Sequence, residues 1–102
     1  MLLKWTHAAL KNIDDAVEYI SQDRPDAAKK VARKIWSAAN SLIDHPELGR
    51  PGRVLGTREL IVTGLPFILP YTIKDQTIII LRVMHTSRKW LSPDISGKGG
   101  AS

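Results

Sequence analysis

The sequence predicts an α+β domain in which a short N-terminal strand precedes an antiparallel helical hairpin that packs on an antiparallel sheet. Two patterns lead to this fold class. Apolar residues recur at helical spacing between residues 7 and 43, and three β-rich runs follow a loop dense in proline and glycine. Because 102 residues make one ordinary domain, we expect a single core shared by helices and sheet.

The helical half is predicted from periodicity and from helix start signals. "LLKW" is typical of a short strand, and Thr6 is suited to cap the helix that follows it. A first helix is expected over residues 7–22, with its apolar side formed by Leu10, Ile13, Val17 and Ile20. Pro25 suits the first position of a second helix, which should run to about residue 43.

The sheet is predicted from the runs "RELIV", "FILPYTI" and "TIIILRVM". Their short connections are typical of antiparallel neighbours, so we expect a meander of three strands. Pro70 lies inside the middle run and cannot donate to a ladder, which predicts a bulge or an unpaired N–H there. Arg82 lies inside the last run, and a charge at such a position must find a partner or reach an edge.

The charge balance indicates an acidic partner. Fifteen Lys and Arg residues against ten Asp and Glu residues give a net charge of +5, which suits nucleic acid or an acidic protein. Four of the basic residues fan across the side of the second helix opposite its apolar positions, namely Lys29, Lys30, Arg33 and Lys34. This pattern fits a solvated helix face and also fits an electrostatic surface for a partner.

Several functional classes lack their signals in the sequence. There is no cysteine, no Cys/His metal spacing, no glycine-rich phosphate loop and no apolar run long enough to span a bilayer. The N-terminus shows no features of a secretory signal. We therefore expect a cytoplasmic protein without a metal, a cofactor or a membrane partner.

Five segments occur in an order that indicates a known family. They are "HPELGRPGR" after the hairpin, "RELIV", "PYTI", "KDQTIIILRV" and the closing "MHTSRKW". In this order the chain resembles the RelE/ParE superfamily of toxins from bacterial type II toxin–antitoxin modules, and it looks most similar to the ParE branch. The likeness covers residues 1–91, although Leu91 follows Trp90 where the family often has proline. Residues 92–102 are expected to form a disordered tail.

The resemblance implies a compact toxin that a cognate antitoxin holds inactive by wrapping the hairpin and the sheet. ParE-like members poison DNA gyrase, whereas RelE-like members cut messenger RNA in the ribosomal A site. We expect gyrase as the target, with the ribosome and its messenger RNA as the alternative, and a homodimer as an option for the free toxin. The residues expected to contact the antitoxin are Lys30, Arg33, Lys34 and Arg53.

The residues expected to contact the target are Arg58, Arg82, His85, Arg88, Lys89 and Trp90. In a gyrase inhibitor they would only bind. In a messenger-RNA endonuclease, Arg58 and Arg82 would hold the phosphate and His85 would transfer a proton. Both hypotheses expect these groups to meet on one rim of the sheet.

Two further interpretations stay open from the sequence. The tyrosine of "PYTI", Tyr71, could stack on a base in a nuclease, or its ring could simply pack on the sheet. The whole chain could also be a basic nucleic-acid-binding module without toxicity, which would bind duplex DNA with steep salt dependence.

Overall fold

The computed structural model describes residues 1–86 and contains two helices packed on one face of a sheet. The sheet has six strands in the order β1-β5-β4-β3-β2, and β6 pairs with β4. In chain order the elements are β1 (Leu2–Trp5), α1 (His7–Ser21), α2 (Pro25–Asp44), β2 (Arg50–Pro51), β3 (Arg58–Ile61), β4 (Phe67–Lys74), β5 (Thr77–Ile80) and β6 (Met84–His85).

Both helices begin where the sequence predicts. The Thr6 hydroxyl accepts a hydrogen bond of 3.0 Å from the Ala9 N–H and so caps α1. Pro25 is the first residue of α2, where its missing N–H leaves no bond unmade. The prediction for Leu10 was wrong, because α1 buries Ala9 and Ile13, four residues apart, and Leu10 stays 38% exposed at the edge of that stripe.

The core lies between the helices and the sheet. It joins residues of α1, α2 and the central strands, namely Ala9, Ile13, Ile35, Ala39, Leu42, Leu60, Val62, Phe67, Leu69, Tyr71, Ile78, Ile80 and Val83. Trp5 and Trp36 pack on each other beside this core, with ring centroids 4.3 Å apart. Neither helix within residues 1–86 has the length and apolar content of a membrane span.

The antiparallel meander is confirmed for β3, β4 and β5, but the sheet as a whole is mixed. Strand β1 pairs with β5 in parallel, from Leu2 opposite Thr77 to Trp5 opposite Ile80. A parallel pair needs a long crossover, and the two helices between β1 and the other strands supply it. The short β2, which the sequence did not predict, pairs with β3 at the other edge.

The last predicted strand is broken by Pro70. Strand β5 ends at Ile80, and the next ladder position has only one bond, from the Leu81 N–H to the Pro70 carbonyl at 2.8 Å. Pro70 has no N–H to return to Leu81. The Leu81 carbonyl instead accepts a hydrogen bond of 2.8 Å from the Thr6 hydroxyl. The N-cap residue of α1 therefore supplies the donor that Pro70 lacks.

A β-bulge follows this break, as the sequence predicts for Pro70. Pairing resumes with Ile68 opposite Met84, so that Leu69 alone faces both Arg82 and Val83. The extra residue reverses which side chains face the helices. Strand alternation from Ile80 would place Arg82 in the core, whereas Val83 is the buried residue and Arg82 is exposed.

The bonds of Thr6 give a stability prediction. Thr6→Ala removes the helix cap and leaves the Leu81 carbonyl without its partner, so the free energy of unfolding should fall by about 1–3 kcal/mol. Urea denaturation measures the change. Thr6→Ser is the matched control, because it keeps the hydroxyl and should retain most of the stability. Equal losses in the two variants would show that the hydroxyl bonds contribute nothing.

Candidate functional site

A cleft of about 530 Å³ opens between α1 and the end of the sheet that carries β6. We call it the α1–β6 cleft. Helix α1, the β3–β4 turn and the bulge segment supply most of its lining, which consists of Asn12, Asp15, Ala16, Tyr19, Ile20, Val31, Leu65, Pro66, Phe67, Arg82, Val83 and His85.

The cleft combines an apolar interior with a positive charge. Ala16, Val31 and Leu65 are half-buried and pack against the core. Asp15 is paired with Lys11 at 3.2 Å, and no carboxylate within residues 1–86 forms an ion pair with Arg82. The surface therefore suits a segment that carries apolar side chains and an acidic group.

His85 is held at the cleft by β6. Its ring meets the ring of Phe67 edge-on, with centroids 5.2 Å apart, and the two residues are opposite each other in the β4–β6 pair. The Thr86 N–H donates to the Pro66 carbonyl at 2.7 Å and secures the end of this segment. The structure thus places His85 in the same cleft as Arg82, as the sequence predicts.

Helix α1 contributes cleft residues that the sequence analysis missed. Asn12 accepts a 3.0 Å bond from the Val83 N–H through its side-chain oxygen and so fixes the bulge from the helix side. Asp15 and Tyr19 line the opening. The signal was present, since Asn12 lies three residues after Ala9 and four before Ala16 on an otherwise apolar helix face.

Arg58 does not join Arg82 and His85. Its guanidinium Nη1 donates to the carbonyls of Gly49 at 2.7 Å and Glu47 at 3.4 Å, and Arg58 is not among the residues that line the cleft. Arg82 and His85 therefore meet on one rim of the sheet as expected, but Arg58 does not join them there. Glu47 and Gly49 lie in the loop after α2, and Arg58 supplies donors to their backbone carbonyls.

Tyr71 binds the same loop after α2 that Arg58 contacts. The ring is fully buried, and its hydroxyl donates to the Pro46 carbonyl at 2.8 Å and accepts from the Gly49 N–H at 2.9 Å. Burial raises the pKa of the Tyr71 hydroxyl above its ordinary value, against smaller lowering effects of the Gly49 bond and Arg58. The sheet-packing interpretation of Tyr71 is confirmed, and base stacking by this ring is excluded by its burial.

The remaining candidates lie outside the cleft or outside the described residues. Lys29, Lys30, Arg33 and Lys34 are all exposed on α2, as helical spacing predicts. Arg53 lies in the loop between β2 and β3, where its guanidinium is 3.9 Å from Glu59. The predictions for Arg88, Lys89, Trp90 and the tail 92–102 fall beyond residue 86 and stay predictions.

These features define a small α+β protein with a partly apolar cleft that both Asp15 and Arg82 line. Comparison with known proteins identifies its class. A family profile described as "ParE toxin of type II toxin-antitoxin system, parDE" matches residues 3–90. "Putative toxin Y4kP" of Sinorhizobium fredii is 42% identical over 86% of this chain and 91% of its own length. "Toxin RelE2" of Caulobacter vibrioides is 36% identical over 82% of this chain and 93% of its own.

Solved structures agree with the sequence relatives. A chain of the chromosomal ParDE toxin–antitoxin system from P. aeruginosa superposes with a TM-score of 0.79 at 30% identity, covering 85% of this chain and 97% of that chain. A chain of the RelBE2 toxin–antitoxin complex from Mycobacterium tuberculosis has a TM-score of 0.57 at 24% identity, covering 85% and 92%, and shares the fold. The chain therefore belongs to the ParE toxin family of type II toxin–antitoxin systems, within the RelE/ParE superfamily.

The two arginines should differ in their effect on stability. Arg58→Ala leaves the Gly49 and Glu47 carbonyls without donors, so we expect a loss of about 1–3 kcal/mol in the free energy of unfolding. Arg82→Ala removes an exposed side chain and should change it by less than about 0.5 kcal/mol. Chemical denaturation of both variants tests this difference. A large loss for Arg82→Ala would mean that Arg82 supports the fold.

Proposed function

We propose that this toxin inhibits DNA gyrase in the cytoplasm and that a cognate antitoxin neutralises it. The observation that carries the proposal is the match to the ParE family profile over residues 3–90. The ParDE chain supports it, since it superposes with a TM-score of 0.79 at 30% identity. Such an inhibitor acts by binding, so the toxin itself needs surfaces rather than a set of reacting groups.

The arrangement of the arginines favours this proposal over the nuclease. Cleavage of RNA would need cations that converge on one phosphate beside a proton-transfer group. Arg82 and His85 share the α1–β6 cleft, but the Arg58 guanidinium is engaged by backbone carbonyls after α2. Of the three groups that the nuclease hypothesis requires, Arg82 and His85 therefore lie together, whereas Arg58 is bound to backbone carbonyls elsewhere.

Messenger-RNA cleavage is the second candidate, and two observations favour it. The relative named Toxin RelE2 is 36% identical to this chain. The structure also places a carboxylate, Asp15, in the same cleft as His85, which would supply a second group able to transfer protons. Asp15 is bound to Lys11 in the described structure, so a nuclease would have to break that pair.

The antitoxin is proposed to fill the α1–β6 cleft. Apolar side chains of its segment would cover Ala16, Val31 and Leu65, and an acidic residue would meet Arg82. Exposed basic residues on α2 would add attraction, namely Lys30, Arg33 and Lys34. Covering Arg82 and His85 would also block target contacts. Arg53 lies outside the cleft, and its contact with the antitoxin stays a prediction.

A gyrase assay tests the proposed target. Purified toxin, bacterial gyrase and supercoiled plasmid should yield linear plasmid, while a parallel reaction with translating ribosomes should leave the transcript intact. Arg82→Ala should require about tenfold more protein for the same linear product, because one exposed contact is lost.

Other outcomes identify the competing functions. Transcript breaks at fixed codon positions, without formation of linear plasmid, would show that the ribosome and not gyrase is the target. Salt-sensitive DNA binding without either effect, and without growth inhibition, would indicate the non-toxic nucleic-acid-binding module.

Hydrogen exchange tests the antitoxin site. The partner encoded beside the toxin reading frame should protect backbone amides in the segments 12–20, 65–67 (Leu65 and Phe67, since Pro66 has no N–H) and 82–85, because these segments line the cleft. Mass spectrometry of the toxin alone and in the complex measures the protection. Unchanged exchange in all three segments of a stable complex would place the antitoxin elsewhere.

A further inference from the structure

The loop between β2 and β3, residues 52–57, exposes two adjacent apolar side chains. Leu55 is fully exposed and Val54 is 69% exposed. Neither side chain therefore contributes much apolar burial to the fold. Single exposed apolar residues are ordinary on protein surfaces, but two neighbours at the tip of one loop form a small apolar knob.

The loop is ordered by its own hydrogen bonds. The Gly52 N–H donates to the Thr57 carbonyl at 2.8 Å, and the N–H and hydroxyl of Thr57 both donate to the Val54 carbonyl, at 3.1 and 2.6 Å. A side chain at Gly52 would collide with Thr57, and Gly56 has a φ of +84°, which favours glycine. The Thr72 hydroxyl donates to the Gly56 carbonyl at 2.9 Å and fastens the loop to β4.

A shielded carboxylate holds two arginines beside the knob. Glu59 Oε1 is 3.3 Å from Arg50 Nη2, and Glu59 Oε2 accepts from the Arg53 N–H at 3.1 Å. The Glu59 side chain is 10% exposed, whereas those of Arg50 and Arg53 are 53% and 79% exposed. The loop therefore exposes to solvent an apolar tip, formed by Val54 and Leu55, with the positive charge of Arg50 and Arg53 beside it.

This composition points to a protein partner. Apolar anchors and arginines dominate the binding energy of protein interfaces, and an anchor that is already ordered loses little conformational entropy on binding. A duplex of DNA offers phosphates to arginines but gives a fully exposed leucine no apolar pocket. None of residues 52–57 lines the α1–β6 cleft, so the loop is a surface separate from the proposed antitoxin site.

We propose that the β2–β3 loop is a docking element for the target protein. Leu55, supported by Val54, enters an apolar pocket on that protein, and carboxylates at the rim of the pocket meet Arg50 and Arg53. The inference rests on the proposed function in one respect, namely that the toxin acts by binding a protein target. It gives the target a second contact surface besides Arg82 and His85, and this loop lies outside the cleft that the antitoxin is proposed to fill.

Leu55→Ser tests the proposal, with Leu2→Ser as the matched control because Leu2 is 64% exposed on the edge strand β1. The readouts are plasmid linearisation by gyrase, binding to plasmid DNA alone, growth inhibition on expression, affinity for the co-encoded antitoxin, and thermal stability. Leu55→Ser should need about 10- to 100-fold more protein for the same linear product, with antitoxin affinity and melting temperature unchanged. Leu2→Ser should match the unsubstituted toxin in every readout.

The design separates failure of this inference from failure of the proposed function. If the unsubstituted toxin linearises plasmid and Leu55→Ser does so equally well, the docking role is overturned. It is also overturned if Leu55→Ser weakens antitoxin binding while leaving linearisation intact, or if it abolishes binding to plasmid DNA alone. If the unsubstituted toxin leaves plasmid supercoiled, the proposed inhibition of gyrase is wrong, and growth inhibition then tests the docking role of the loop. Loss of growth inhibition in Leu55→Ser would support that role, and unchanged growth inhibition would overturn it.

Discussion

The missing N–H of Pro70 is the constraint on which the α1–β6 cleft depends. Because Pro70 cannot complete the ladder with Leu81, the strand pairing stops and resumes one residue out of step. Helix α1 satisfies the backbone groups that this break releases, through Thr6 and Asn12. The same shift exposes Arg82 at the cleft, so a backbone defect in the sheet determines the position of a charged side chain.

The arginines show how similar residues acquire different roles. Arg58 donates to carbonyls of the loop after α2, and Tyr71 holds the same loop from the core side. Arg82 lies on a bulge where Thr6 binds the Leu81 carbonyl and Asn12 binds the Val83 N–H, and its guanidinium forms no ion pair within residues 1–86. An exposed cation beside an apolar cleft is suited to recognition, whereas a cation bound to backbone carbonyls is part of the scaffold.

Two surfaces with different physical character follow from this arrangement. The α1–β6 cleft is concave and apolar, with Arg82 and His85 at its lining. The β2–β3 loop is a projecting knob whose shape comes from internal hydrogen bonds and from the shielded carboxylate of Glu59. As proposed, the antitoxin's segment would fill the concave surface and the projecting loop would enter a pocket on the target, so the two partners would engage this small domain differently.

The sequence by itself determined the elements that depend on near neighbours. Thr6 and Pro25 mark the helix starts, and Pro70 marks the bulge, because capping and ladder donation are properties of single residues in their local context. The tertiary structure alone decided that β1 pairs in parallel with β5 and that Arg58 turns to the carbonyls after α2 rather than to His85. Those contacts join segments far apart in the chain, and their geometry follows from packing of the whole core, which no local pattern encodes.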